Sequence, residues 1–238
     1  MLEIKNVTKV FNPGTVNEKL ALDHFSYCFV PGIYGLLGPN GAGKSTLMNI
    51  ITQNLKSDEG RILLNGVEAQ KLKQAYIAHI GYMPQQQSLY ENLTLLRFMY
   101  YIAALKGMKK KEAGEQIERL LKDVGLWDER SRYMGGFSGG MKQRALVAQA
   151  LLGEPDIIIL DEPTAGLDPI QRRGIRGMIG ELARDRIVII STHVMADIDA
   201  IAKEILMLRK GKLLNKLSPE ADRLEGESLE DMYIRLFG

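Results

Sequence analysis

Cysteine is almost absent from this chain of 238 residues: Cys28 stands alone, so no disulfide can form within it, and such usage suits a reducing compartment. A single cysteine in an apolar stretch is expected to be a small core residue. A surplus of either charge is lacking as well. Lys and Arg total 31 against 29 Asp and Glu, a net charge of +2, which leaves no electrostatic footprint of a dedicated nucleic-acid binder, and no nucleic-acid partner is expected. No apolar run approaches the roughly 18 uninterrupted residues of a membrane-spanning helix. The opening MLEIKNVTKVF has an early acid and no apolar signal core. If the protein acts at a membrane, another chain is expected to make the crossing. Internal repeats and low-complexity tracts are lacking too. With 45% hydrophobic residues the chain can still bury a proper core, as one domain with an insertion or as two small lobes.

What is present centres on Gly38 to Thr46, GPNGAGKST, which follows the apolar run Ile33 to Leu37 and leads into a helical stripe from Leu47 to Ile51. Strand, glycine loop and helix are the context that gives the pattern G-x-x-x-x-G-K-[ST] its meaning. Gly38, Gly41 and Gly43 let the backbone bend and bring N–H groups close to an anion, while Pro39, Asn40, Ala42 and Thr46 complete the cradle. Lys44 supplies an ammonium for terminal phosphates, and Ser45 a hydroxyl for Mg²⁺.

Around this loop the residue pattern predicts an α/β chain. Leu2, Ile4 and Val7 alternate with polar residues, and Leu20 to Phe29 forms a second run after the turn Asn12-Pro13-Gly14, a pair of strands with Phe11 between them. On these letters alone Phe11 reads as core or hairpin packing. Gly60 to Asn65 and Ile77 to Met83 are expected strands, the second ending in Pro84 and the run Gln85, Gln86, Gln87, of interest only if that strand end lies beside the glycine loop. Helical periodicity takes over from Leu93 to Gly107 and from Lys111 to Gly125, an insertion in which Phe98 to Ile102, apolar all round, predicts a buried helix. Ser138, Gly139 and Gly140 then open a helix, a second start suited to an anion. Asp156 to Pro163, DIIILDEP, reads as a central parallel strand with functional side chains at its carboxyl end. Asp161 suits Mg²⁺, and Glu162, facing another way in an extended chain, suits a general base. Ile170 to Ala183 is a helix and Arg186 to Ser191 a buried strand. His193 stands just past that strand's end, as a γ-phosphate contact. Glu204 to Leu208 with Gly211 to Leu214 is a closing hairpin, and Ser228 to Phe237 an amphipathic helix.

In this order the residues resemble the ATP-binding cassette subunit of ABC transporters. The resemblance spans the whole chain. Walker A falls on Gly38 to Ser45, the Q-loop on Gln85, the signature on Ser138 to Gly140, Walker B on Ile157 to Asp161, the base on Glu162, the D-loop on Asp168 and the switch histidine on His193. The family implies a P-loop NTPase with a RecA-like parallel core, an N-terminal antiparallel β part and an inserted helical part. That gives residues 1–88 and 154–238 to the core with its β subdomain and 89–153 to the helices. It also implies that Phe11, where tyrosine is more usual, stacks on adenine, and that ATP with Mg²⁺ lies between Walker A of one subunit and the signature of another, a homo- or heterodimer. A permease on a separate chain and a place on the cytoplasmic face of the cell membrane are implied in turn.

Phe137 and Met141 replace the first and last letters of the usual LSGGQ, so a hydrogen bond from a final glutamine is not available. This variant, with the tail SLEDMYIRLF, resembles the subfamily serving ABC-2 type exporters. The alternatives are a soluble cassette acting on ribosomes or DNA, or an importer subunit. Cassettes acting on ribosomes or DNA usually carry tandem modules or basic extensions, which this sequence does not show, and a small-molecule kinase would not explain Ser138 to Gly140, Asp168 and His193 together.

Overall fold

A computed structural model describes residues 1–85, 91–182, 185–222 and 227–237. Gln86, Gln87, Leu89 and Ala183, which entered the sequence reading, lie outside the described residues. The chain opens with β1 (Leu2–Phe11) and β2 (Lys19–Phe29), an antiparallel pair, then β3 (Gly32–Leu37), the glycine loop and α1 (Lys44–Ile51). Next come β4 (Glu59–Leu64), the short β5 (Val67–Glu68), α2 (Ala69–Leu72), α3 (Gln74–Ala78) and β6 (Ile80–Met83). Three helices follow before the sheet resumes: α4 (Leu95–Leu105), α5 (Lys110–Asp123) and α6 (Gly139–Leu151). The chain continues with β7 (Ile157–Asp161), α7 (Pro169–Leu182), β8 (Ile187–Ser191), α8 (Ala196–Asp199), β9 (Glu204–Arg209), β10 (Lys212–Leu217) and α9 (Leu229–Phe237).

Two sheets result. The smaller is antiparallel, in the order β2-β1-β4-β5; the larger runs β10-β9-β3-β8-β7-β6, with all its pairs parallel except the β9–β10 hairpin. A parallel strand in the middle of such a sheet is buried on both faces, which is why IIILD shows no polar alternation. Its side chains divide accordingly. Ile158 and Leu160 of β7, with Val188 and Ile190 of β8, pack into the core that holds α4, α5 and α6. Ile157, Ile159, Ile187 and Ile189 pack on the other face against α1 and the antiparallel sheet. The large sheet is therefore the shared wall of two cores. Glycine loop, Asp161 and His193 all lie at or just past the carboxyl ends of its strands, where open α/β sheets bind ligands.

Three expectations need correction. Ile77 and Ala78 belong to α3 rather than to a strand, so IAHIGYM is a helix end followed by the four residues of β6; apolar letters in so short a run do not separate the two. Cys28 is exposed, because β2 alternates and turns Phe25 and Phe29 inward instead. Helix α4 is buried on one side only: Phe98, Met99 and Ile102 are in the core, while Tyr101 and Leu105 face outward.

Candidate active site

The glycine loop is gripped by its neighbours. A Cβ on Gly38 would run into the Leu208 carbonyl of β9, and one on Gly43, whose φ is 109°, would sit 2.6 Å from the Ala21 carbonyl of β2. Only glycine tolerates both the backbone and the approach. From the other side the Gly211 N–H, in the β9–β10 turn, donates to the Ala42 carbonyl at 2.9 Å. Helix α1 then begins at Gly43 with no side-chain cap, whereas Thr94 Oγ1 caps α4 and Ser138 Oγ caps α6. An uncapped start leaves first-turn N–H groups, and the positive end of the helix dipole, for an anion. Lys44 is folded over the loop: its Nζ donates to the Gly38 carbonyl at 2.6 Å and the Pro39 carbonyl at 3.3 Å. Burial lowers its pKa, opposed by the nearby carboxylates of Glu162 and Asp161.

Strand alternation places Asp161 on the face of β7 shared with Ile157 and Ile159, the face α1 covers. It pairs in register with Ser191 of β8, and the Ser191 hydroxyl donates to Asp161 Oδ1. Glu162 does not continue the strand. Its φ is 53°, so the expectation of an extended chain is wrong at this residue: the backbone turns left-handed, and its N–H is held by both the Ser191 carbonyl and hydroxyl, each at 3.1 Å. Such a conformation costs of order 1 to 3 kcal/mol for a residue with a side chain and persists where surroundings over-determine it. The turn brings the buried Glu162 carboxylate to His193, whose Nδ1 lies 2.8 Å from Oε2. The imidazole itself is largely exposed.

One cleft of about 190 Å³ gathers Phe11, residues 40–46, Gln85, Asp161 and Glu162. Gly38 and Pro39 line a separate cavity on the far side of the loop, beside Tyr233 of α9, and reach the cleft only through Lys44. His193 joins through Glu162. Ser138, Gly139, Gly140 and Asp168 do not line the cleft. Ser138 Oγ accepts from the Met141 N–H at 3.3 Å, and Asp168 Oδ1 accepts from the Gln171 N–H at 2.9 Å, each opening its own helix.

Ser45, Gln85 and Asp161 share a further groove of about 750 Å³ that runs on to Ile102, Leu105 and Lys106 of the helical segment. A hydroxyl, an amide and a carboxylate offer hard oxygen donors. That set fits Mg²⁺, which takes few protein ligands and keeps water or phosphate oxygens for the rest. Among the described residues there is no cluster of three or more His, Cys, Asp or Glu that could hold a metal ion. At the groove's far end Lys106 Nζ donates to the Leu152 carbonyl at the end of α6, and burial pulls its pKa down to about 8.

Sequence reasoning missed two contributors. Lys19 lines the cleft because β2 pairs it directly with Phe11, a register no spacing rule supplies. Ser191 is fully buried and contacts Asp161 of β7 and the Glu162 N–H that follows it, yet a serine ending an apolar run gives no signal by itself.

The pattern of the ABC transporter family matches residues 22–165. Human phospholipid-transporting ATPase ABCA3 is 33% identical over 215 residues, which make up 89% of this chain and 12% of that protein. An uncharacterized ABC transporter ATP-binding protein of Bacillus subtilis, YxlF, is 38% identical over 178 residues, 75% of this chain and 59% of its own. This chain thus spans about an eighth of the first relative and three-fifths of the second. Among solved structures, an ATP-binding subunit of an ABC transporter superposes with TM-score 0.86 at 28% identity over the whole of both chains. The cassette MJ0796, solved as a post-hydrolysis dimer with ADP and Pi, gives TM-score 0.83 at 26% identity over 92% of this chain and 99% of that one. Matched over more than half its length by the family pattern, and along its whole length by an ATP-binding subunit, the chain belongs to the ABC transporter family as an ATP-binding cassette, an ATPase module of the P-loop fold.

Proposed function

We propose that this cassette binds ATP with Mg²⁺, closes head to tail on a second cassette, and couples ATP hydrolysis to a membrane transporter of the ABC-2 exporter type. One observation carries the reading. Phe11, the glycine loop, Gln85, Asp161 and Glu162 face a single cleft, while Ser138 to Gly140 start a helix that does not line it. Half of a phosphate cage is built, and the complementary half faces elsewhere. A second copy, identical or related, brings its Ser138 to Gly140 and Asp168 to this cleft, and the arrangement repeats in reverse. The cassette MJ0796, solved as a dimer in a post-hydrolysis state with ADP and Pi, supports the pairing of cassettes.

In this scheme Phe11 stacks on the base, and the N–H groups of residues 40–46 with the Lys44 ammonium hold the phosphates. Mg²⁺, held by Ser45, Asp161 and Gln85, would neutralise charge on the phosphate oxygens. Glu162 accepts the proton of the attacking water. His193, through its contact with Glu162, keeps that carboxylate aimed and meets the γ-phosphate. Residues 89–153 move as the helical unit, with Gln85 at its hinge, so nucleotide biases the groove that runs to Leu105 and hence a permease docked there. Among the described residues no helix is long and apolar enough to cross a membrane; in this scheme a permease on a separate chain supplies the crossing, and the cassette sits on the cytoplasmic face of the cell membrane. Export rather than import is supported by the signature variant Phe137 and Met141 and by the tail SLEDMYIRLF.

The test is Ser138→Arg, which adds bulk and charge at the helix start. Each monomer should keep its ATP affinity, while ATP-dependent dimers and hydrolysis disappear, with or without the co-expressed permease. A Ser138→Arg monomer that hydrolyses ATP at the parent rate would refute the two-chain site. Recovery of the parent protein with ribosomes instead of membranes would remove the transporter.

A further inference from the structure

Ser191 contacts both acidic residues of the site, the Asp161 carboxylate and the Glu162 backbone N–H. It ends β8, directly opposite Asp161 in the parallel register, and is wholly shielded from solvent. The Glu162 N–H points at its Oγ from 3.1 Å, and an amide N–H can only donate. The hydroxyl oxygen is therefore an acceptor there, and its own proton goes to Asp161 Oδ1, the carboxylate oxygen beside it. A hydroxyl with both roles used in this way is fixed in rotation, and it fixes the carboxylate in turn. Oδ1 is committed to Ser191, which leaves Oδ2 as the oxygen available to the cleft. The same hydroxyl pins the peptide at which the chain leaves β7 with Glu162 at φ 53°.

From this geometry we infer that Ser191 is a positioning residue for the divalent cation: its hydroxyl orients the Asp161 carboxylate toward the ion that accompanies the nucleotide. The inference rests on the reading of the cleft as an ATP and Mg²⁺ site. Groups that hydrogen-bond a metal-binding carboxylate fix its direction, and their loss typically costs about 10- to 100-fold in metal affinity or activity. Ser191 meets no nucleotide in this scheme. Its removal should reach Mg²⁺-dependent binding through Asp161, while the Glu162 N–H keeps the Ser191 carbonyl as its other acceptor.

The experiment measures binding of a fluorescent, slowly hydrolysed ATP analogue to the full chain, first in EDTA and then in excess Mg²⁺. For Ser191→Ala the affinity in EDTA should equal that of the parent, while about 10- to 100-fold of the gain conferred by Mg²⁺ is lost. Ser191→Thr keeps the hydroxyl and should recover most of that gain. Equal losses in both buffers would assign Ser191 to strand support only, and an undiminished Mg²⁺ gain would mean that Asp161 needs no partner; either result overturns the inference. Should Ser191→Ala lose its cooperative unfolding transition, Ser191→Cys keeps the volume, weakens the donor and decides the matter by the same comparison. A parent protein that binds nucleotide in neither buffer would overturn the nucleotide reading and Ser191's role with it. A parent that shows the Mg²⁺ gain beside an unaffected Ser191→Ala variant would overturn the role alone.

Discussion

Replacing Glu162 by glutamine keeps the side chain's shape and its reach to His193 while removing the proton acceptor. The carboxylate is 9% exposed and its Oε2 stands 2.8 Å from His193 Nδ1, so the amide fills the same space and the fold should be unaffected. A positioned general base contributes roughly 10² to 10⁴ in rate, or about 2.7 to 5.4 kcal/mol at about 1.36 kcal/mol per decade. We therefore expect ATP turnover to fall by that factor, with ATP affinity retained and an ATP-bound dimer accumulating. His193→Ala removes a hydrogen bond to a charged group, worth about 1.5 to 3 kcal/mol, which is roughly 10- to 150-fold. The two losses should not multiply. Where histidine acts through Glu162, the double variant has little left to lose, as with other groups that work as a unit. Phosphate release is measured for the parent, both single variants and the pair, with nucleotide affinity and dimer mass determined in parallel. Near-parent turnover in Glu162→Gln removes Glu162 from the chemistry. Full multiplication in the double variant separates His193 from it and leaves histidine an independent contact of the phosphate.

Two further outcomes test other parts of the structure. Phe11→Ala should weaken ATP and GTP alike by about 1 to 3 kcal/mol, because every base presents a stacking face; a preference for ATP that vanishes with the ring, measured by fluorescent nucleotide binding, would contradict simple stacking. Lys106 predicts a pH effect on stability: its folded pKa is pulled down to about 8 by burial, below the value of about 10.4 for a free lysine. Between those values the unfolded chain holds a proton that the folded chain has lost, so stability should rise with pH across about 8 to 10. The full gain is at most about 3 kcal/mol, since the Leu152 carbonyl accepts from the ammonium and opposes the shift. Lys106→Met, compared with the parent by denaturant unfolding at both ends of that range, should flatten the rise; an identical slope in the two proteins would assign it to other groups.

Much of the site was legible because its chemistry is local. Gly38 to Ser45 announces its loop through fixed glycines, and DIIILDEP announces a doubly buried strand through an unbroken apolar run that ends in acids. The parts that were not legible depend on pairing between distant segments. Ser191 meets Asp161 only because β7 and β8 run parallel in one register, and Lys19 meets the cleft only because β2 sets it beside Phe11. The left-handed backbone of Glu162 is set by two bonds from Ser191, so no local preference of the Asp161–Glu162 pair could reveal it. The exposure of Cys28 is a different case. Alternation with Phe25 and Phe29 carries that information, and the composition of the stretch obscured it.

The two helix starts are also built differently, and the difference bears on how a pair of cassettes would close. The start of α1 is uncapped and enclosed, its glycines pressed against β2 and β9, so it can grip phosphate within one chain. The start of α6 has one first-turn N–H, that of Met141, already taken by Ser138 and rests on another element. A Cβ on Gly140 would come within 2.5 Å of the Gln171 side chain in the first turn of α7, and the Gln171 N–H is the donor that Asp168 caps. Further along α6, Gln143 reaches the Ala165 carbonyl at 3.5 Å. Ser138 and Asp168 are thereby fastened to one another through Gly140 and Gln171, and the fastening leads back through Ala165 to the segment that follows Glu162. A start that is capped and shared in this way gains little from phosphate alone, so its contribution is reserved for the closed pair. Nucleotide can shift that equilibrium only by the difference in its affinity for the open and closed forms. Contacts that exist only in the closed pair, at Ser138 to Gly140, would supply that difference.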